Sequence, residues 1–372
     1  MYIHLSKKWP NFSWDSEELM PLLAKVRNTQ GELAGKMESL GFDLKNEALL
    51  ESLSEEVVRS CEIEGEILDR EQVRSSVARR LGMEISGLVE SDRNVDGVVE
   101  MLLDATQNFD NDLTEDRLFG WHSALFPSGR SGMHKIVVGN WRDDSSGPMQ
   151  VVSGAMGKEK IHFEAPISKR LPKEMKTFIT WFNNEHRLDK LFKSGIAHLW
   201  FVTIHPFDDG NGRIARAITD MMLSKSEKYK QRYYSMSSQI RKDRKKYYQV
   251  LERTQKGVLE ITEWMNWFLN CLLEAIELSD LILKKVLFKH EFWKINKSKN
   301  LNARQVKMMN LILDNFKGKL TSSKWAKINK CSQDTALRDI QGLMDHQILI
   351  KEMPGGRSTN YELKNKYNKD SR

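Results

Sequence analysis

His205-Pro-Phe-Asp-Asp-Gly-Asn-Gly-Arg-Ile-Ala-Arg216 stands near the middle of a chain of 372 residues. The stretch combines an imidazole, two carboxylates, two glycines flanking an asparagine, and two arginines one helical turn apart. Just upstream, Ile196, Ala197, Leu199, Trp200, Val202, Thr203 and Ile204 are nearly all apolar, the pattern of a helix buried around most of its circumference. Downstream, Ile214, Ala215, Ile218, Met221, Met222 and Leu223 recur at helical spacing, so 208–212 is expected to be a tight turn that opens a second helix.

These residue types suit a polyphosphate. Gly210 and Gly212 allow a ligand to approach the backbone, and the free N–H groups of the turn and helix start form an anion cradle. Arg213 and Arg216 share a helix face and offer planar donor forks to phosphate oxygens. Asp209 is a hard oxygen ligand suited to Mg²⁺ bridging two phosphates, and Asp208 precedes it. His205 is placed to act as a general base, while Pro206 and Phe207 fix the turn by packing. Singly, a histidine at a helix end or a Gly-Asn-Gly turn is more often structural; their joint occurrence favours function.

Every specified position of the motif His-x-Phe-x-(Asp/Glu)-Gly-Asn-Gly-Arg-x-x-Arg is filled, and the segment closely resembles the signature of Fic-domain proteins. The resemblance implies a helical core that transfers the AMP part of ATP to a target hydroxyl, with His205 as base and Asp209 holding Mg²⁺. Asn211 and the backbone around Gly210 and Gly212 would bind the α-phosphate, Arg213 the β- and Arg216 the γ-phosphate, with Asp208 counted in the nucleotide site. One relative carries Lys where Gly212 stands and transfers phosphate instead, so Gly212 argues for nucleotidyl transfer.

Ser60-Cys-Glu-Ile-Glu-Gly65, at the end of a helical pattern over 53–63, matches the (Ser/Thr)-x-x-x-Glu-(Gly/Asn) motif of Fic proteins that carry their own brake. The resemblance implies that Glu64 pairs with Arg216 and takes the room of the γ-phosphate, with Ser60 and Gly65 completing the inhibitory motif. A helix ending in Glu-Gly is also an ordinary C-terminal cap. In some relatives the same glutamate helps to remove AMP from the target.

Size and composition agree. A chain with 40% hydrophobic residues and 8 prolines is expected to build a large, mostly helical core in two or three domains. Cys61, Cys271 and Cys331 are scattered and odd in number, which points to neither a disulfide framework nor a zinc site. The first ten residues lack a signal-peptide core and no run reaches the length of a membrane helix, so a cytoplasmic protein is expected, with no membrane partner.

In chain order, Trp9 and Trp14 are read as a structural brace, followed by a helix starting after Asp15-Ser16. Val98, Met101, Leu102 and Ala105 form a core stripe, and 113–125 is expected to start the catalytic core, with His122 structural. Stretches 136–142, 149–153 and 161–166 are β-prone. In Fic proteins this region forms a hairpin flap that aligns a target protein by strand addition, placed here at about 149–163. An amphipathic helix is expected over 173–183, and a core helix over 261–276 closes the domain. Residues 234–248 resemble the family's next helix, making Tyr247 and Tyr248 candidates for contact with the nucleotide base, although an aromatic pair in a helix is more often core.

Residues 297–372 hold 16 Lys and Arg against 7 Asp and Glu, so the basic charge of a chain with net +7 is local. Helices are expected over 302–316, 322–328 and 332–346, then a strand, a Gly-rich tip and a returning strand, the layout of a winged helix. Ser332, Gln333, Thr335 and Arg338 would face a DNA groove and Arg357 the backbone, giving a DNA surface over 322–363. Alternatively this region binds protein or closes a homodimer.

The expected fold is mainly α: a helical region with the inhibitory helix over 1–95, a Fic-type core with a small β-hairpin flap over 96–285, and a C-terminal winged helix over 297–372. The expected function is an autoinhibited protein adenylyltransferase using ATP and Mg²⁺. The competing readings are a DNA-binding regulator whose core senses nucleotide, and an enzyme that removes AMP.

Overall fold

Local sequence sets where most helices begin. In the computed structural model, α1 (Ser16–Glu38) starts after Asp15, whose carboxylate accepts from the Glu18 N–H. Then come α2 (Phe42–Ile63), α3 (Arg70–Arg80), α4 (Arg93–Gln107) and α5 (Glu115–Leu125). Asp69, Asp92 and Thr114 cap α3, α4 and α5 through side-chain oxygens. Two short antiparallel pairs follow, β1 (Arg130–Ser131) with β2 (His134–Lys135), and β3 (Gln150–Ser153) with β4 (Lys160–Glu164). The helices resume with α6 (Leu171–Asn184), α7 (Lys190–Ile204), α8 (Asn211–Glu227), α9 (Met236–Lys242), α10 (Arg244–Gln255) and α11 (Thr262–Asn296). The chain ends with α12 (Ala303–Leu313), α13 (Ser322–Asn329), α14 (Gln333–Asp345) and the antiparallel pair β5 (Leu349–Lys351) and β6 (Tyr361–Leu363). The structure describes residues 2–38, 40–85, 87–145, 147–154, 160–227, 232–314, 316, 318–352 and 359–364.

The chain divides into two compact units, Met1–Glu84 with Leu88–Asp280, and Ile85–Gly87 with Leu281–Arg372. The expected regions 1–95 and 96–285 therefore fall largely in one unit, because α2 packs on α3, α4, α8 and α9 instead of forming a layer of its own. The expected boundary at 297 lies too late. Phe292, near the end of α11, is 1% exposed and packs with Met308, Trp325, Ile340 and Leu349 in the core of the second unit.

In the first unit α7 is the buried axis, with every residue from Leu191 to Ile204 out of solvent. Its Trp200 ring lies 6.1 Å from Trp9 and 5.8 Å from Phe12, and Trp14 stacks on Phe192 at 5.8 Å. Backbone bonds from Ser13 to Leu259 and from Ile261 to Ser13 tie the same segment to the start of α11. The tryptophans of the N-terminal stretch are thus structural braces.

Three local expectations are corrected. Residues 136–142 form no strand, since their polar backbone groups bond to the 205–209 loop and to His122. Residues 234–248 make two helices, broken at Asp243 (φ −106°). The helix starting at 262 runs on to Asn296, beyond the expected end at 276. The β1–β2 pair had no clear strand pattern. Part of the expected flap, 155–159, and Arg357 with the 353–358 tip lie outside the described residues.

The approach of α4 to α5 depends on Gly97, where an added Cβ would meet the Ala124 carbonyl oxygen at 1.8 Å. Backbone cannot yield as a flexible side chain does. Gly97→Ala is expected to destabilise the protein by about 2 kcal/mol or more despite alanine's better helix propensity, from overpacking. Urea unfolding checks this; an unchanged midpoint would contradict the close approach.

Candidate active site

The site is built where α7 stops and α8 starts. His205 ends α7 in the left-handed conformation (φ 53°, ψ 59°), an uncommon state for a residue with a Cβ, held by a bond from its N–H to the Phe201 carbonyl at 3.0 Å. Its Nδ1 lies 3.3 Å from the Val202 carbonyl. Because a carbonyl can only accept, Nδ1 carries the proton and Nε2 keeps its lone pair. Burial pushes the imidazole down to about 4, with the nearby Arg142 charge acting in the same direction, so it is neutral near pH 7.

The turn is closed from inside. Asn211, the first residue of α8 and 2% exposed, accepts from the Phe207 N–H at 3.0 Å and donates to the Phe207 carbonyl at 2.8 Å. Both ends of its amide are thus engaged with the backbone of the turn. Gly210 is left-handed (φ 79°), and an added Cβ there would press on the Phe126 ring at 2.9 Å. Here glycine is required by both conformation and space.

The two aspartates have separate tasks. Asp208 accepts from the Val137 N–H at 2.8 Å, which anchors the 136–142 loop. Asp209 accepts from the Gly210 N–H at 2.6 Å and bonds to the Ser131 hydroxyl on β1. Among the described residues no group of three or more His, Cys, Asp and Glu could hold a metal. A single carboxylate still fits Mg²⁺, which keeps several waters and completes its shell with substrate phosphates.

Two residues brace the loop. His122 accepts from the Gly139 N–H at Nδ1 (3.1 Å), so its Nε2–H points at the Asp209 carbonyl, 3.2 Å away. Its ring stacks on Phe207 at 4.2 Å, and burial pushes it down to about 4. The buried Arg142 donates to the His205 carbonyl at 2.8 Å, the Pro166 carbonyl at 2.5 Å and Asp144 at 3.0 Å, and its N–H bonds to the Pro206 carbonyl at 2.9 Å. Arg142 had no sequence signal beyond being an arginine in a Gly-rich loop.

The arginines of α8 meet the end of α2. Arg216 pairs with Glu64 at 2.8 Å and donates to the Ser60 hydroxyl and carbonyl, each at 2.8 Å. Burial opposes its charge, but Glu64 holds the guanidinium above its ordinary range. Gly212 makes room for this pair, because an added Cβ would lie 2.1 Å from the Glu64 carboxylate. Arg213 pairs with Glu66 at 2.7 Å and lies 5.0 Å from the Phe126 ring centre. Glu66 was missed, although a second carboxylate just past Gly65 was there to be read. The Arg213 Nε and Arg216 Nη1 atoms are buried without a hydrogen-bond partner, a rare state that suits an incoming acceptor.

The tyrosine pair separates. Tyr247 is 2% exposed and its hydroxyl bonds to His198 at 3.0 Å, so its ring belongs to the core and is corrected as a base contact. Tyr248 reaches Glu64, with its hydroxyl 3.4 Å from the carboxylate. In the flap, Val151 faces Phe163 and Ser153 faces Lys160, with an irregularity between Val151 and Val152. His162 bridges Ser153 at 2.6 Å and Glu252 on α10 at 2.7 Å.

The architecture is a helix pair, α7 and α8, joined by a tight turn and accompanied by the two-stranded pair β3–β4. The sequence matches the Fic/DOC family over residues 112–223, and a domain of unknown function (DUF4172) over residues 2–83. The Fic/DOC match spans the turn, α7, α8 as far as Leu223 and the two-stranded pair β3–β4. The chain is 30% identical over 101 residues to the Aquifex aeolicus protein named "Probable protein adenylyltransferase aq_aa38", covering 27% of this chain and 29% of that one. It is 27% identical over 225 residues to protein adenylyltransferase fic-1 of Caenorhabditis briggsae, covering 57% of this chain and 42% of that one. The matches thus span less than half the length of these relatives. A solved Fic family protein from Desulfovibrio desulfuricans G20 shares the fold over 93% of this chain and 95% of its own, with a TM-score of 0.52 at 21% identity. So does a Fic domain containing signaling protein from Bacteroides thetaiotaomicron VPI-5482, over 70% and 98%, with a TM-score of 0.51 at 19% identity.

Four histidines resist protonation: desolvation pushes His4, His122 and His205 down to about 4, and His198 to about 3. Asp220 opposes them, raised by burial to about 7. The histidines' folded values lie below their unfolded ones, so the unfolded chain binds more protons and stability is lost as pH falls through about 6.5 to 4. Unfolding near pH 5 is expected to take up roughly two or more protons, a slope of about 1.4 kcal/mol per pH unit for each. Urea titrations across this window check it; a flat profile would show the histidines to be solvated.

Proposed function

We propose that this protein is an adenylyltransferase that moves the AMP part of ATP to a Tyr, Ser or Thr hydroxyl of a target protein, its own chain being one candidate target, and that Glu64 holds it back. The Glu64–Arg216 pair inside an anion cradle carries this reading. The naming of its relatives as protein adenylyltransferases supports it.

In this reading the cradle orients the triphosphate for in-line attack, where positioning and charge neutralisation supply most of the rate. The α-phosphate lies against the N–H groups that open α8. Arg213 takes the β- and Arg216 the γ-phosphate. His205 Nε2, neutral and free to accept, removes the proton of the attacking hydroxyl. Asp209 would hold Mg²⁺, which neutralises charge on the α- and β-phosphates. The flap would add a target strand to its open edge, with Val152 and Ile161 exposed for contact. The free thiols of Cys61, Cys271 and Cys331 support a cytoplasmic setting.

Glu64 competes with the γ-phosphate for one guanidinium. Ser60 keeps two bonds to Arg216 when Glu64 is gone, so Glu64→Gly should leave the fold intact. Transfer of label from α-³²P-ATP with Mg²⁺ to proteins of a cell lysate is expected to rise about tenfold or more in Glu64→Gly, corresponding to about 1.4 kcal/mol. His205→Ala in the same background should return it to baseline. Equal labelling by wild type and Glu64→Gly would contradict the brake, and labelling by His205→Ala the base.

The local charge of the second unit favours an added DNA-binding role, through a winged helix formed by α12–α14 and β5–β6. Ser332 caps α14 through the Thr335 N–H, leaving Gln333 and Arg338 exposed at the helix start. Binding of a DNA duplex by the full chain is expected to weaken steeply with salt, about tenfold or more from 50 to 200 mM, as phosphate contacts require. Salt-independent self-association without DNA binding would favour a dimer surface instead.

A further inference from the structure

The stop of α2 brings a second carboxylate to the cradle. The Glu66 N–H donates to the Cys61 carbonyl at 3.0 Å and the Gly65 N–H to the Glu62 carbonyl at 3.1 Å, with Gly65 at φ +88°. This paired bonding around a left-handed glycine is a Schellman cap, which satisfies helix-end carbonyls and fixes the path of the next residues. The reversal at Gly65 lets Glu64 and Glu66 both reach α8, the first at Arg216 and the second at Arg213.

The two ends of the second pair differ. Arg213 has a side chain 6% exposed, against 37% for Glu66. The guanidinium stays in place through the Phe126 ring, and its buried Nε lacks an acceptor. Glu66 can swing into water at little cost, whereas Arg213 without an anion is a buried, poorly satisfied cation. A carboxylate that leaves easily, on an arginine that cannot, behaves as a stand-in for a ligand anion.

We propose that Glu66 is a second arm of the brake, occupying on Arg213 the position of a nucleotide's β-phosphate as Glu64 occupies on Arg216 that of the γ-phosphate. The inference rests on the cradle assignment under the proposed function. It makes the brake a graded filter on phosphate number, with AMP meeting neither arm, ADP one and ATP both. Glu64→Gly then releases the protein only in part.

Calorimetric titration of the full chain with AMP, ADP and ATP in the presence of Mg²⁺ tests this without requiring turnover. The proteins compared are wild type, Glu64→Gly, Glu66→Ala and the double variant, with Glu66→Gln to hold side-chain volume and thermal melts to verify folding. Glu66→Ala is expected to tighten ADP and ATP about tenfold and leave AMP unchanged, while Glu64→Gly tightens ATP alone. Unchanged ADP affinity in Glu66→Ala overturns the second arm. Equal tightening of AMP and ADP also overturns it, because a loosened loop would do the same. If Glu64→Gly tightens ATP while Glu66→Ala leaves ADP unchanged, only the second arm falls. If the folded double variant binds none of the three nucleotides, the cradle assignment falls with it.

Discussion

A guanidinium removed from water governs the first unit. Arg216 is 3% exposed, and a charge so placed needs both an opposite charge and hydrogen-bond acceptors. α8 cannot satisfy it alone, since the backbone carbonyls of its helix are already used within the helix. The acceptors come from α2, as the Ser60 hydroxyl, the Ser60 carbonyl and the Glu64 carboxylate. The seating of α2 on α8 and the pairing of Arg216 are therefore one interaction. In the proposed function the same donors would meet a polyphosphate, so helix and nucleotide would compete for them.

The turn below those arginines is rigid for a related reason. Its polar groups satisfy one another: Asn211 closes on Phe207, Asp208 takes the Val137 N–H, and His122 spans from Gly139 to Asp209. Arg142 then locks the carbonyls of His205, Pro206 and Pro166 into one network. Such closure holds His205 in a left-handed conformation with a defined tautomer, which a lone turn would not maintain. It also consumes groups that a motif alone would assign to ligand. Asn211 and Asp208 organise the turn through these bonds.

Much of the architecture was legible because it is periodic or punctuated. The all-round apolar pattern before His205 is the buried α7, and the stripe after it is α8. Asp15 announced the start of α1 through a side chain that does cap. The helices of the second unit were read from the same signals. The misreadings arose where tertiary partners displaced local preference. Residues 136–142 are β-prone, but their N–H groups found Asp208, His122 and Pro206. Tyr247 looked like half of an aromatic contact pair until His198 drew it into the core.

By itself the sequence determined the helical character and the gathering of glycines, carboxylates and arginines in 205–216, while a resemblance to the Fic inhibitory motif pointed to Glu64 as the partner of Arg216. The tertiary structure decided which of those groups remain available to a ligand. Arg142, Ser131 and Glu66 joined the site through contacts between segments far apart in the chain. Such contacts leave no periodicity to read, because they are set by where a buried backbone group or charge finds a partner after the helices have packed.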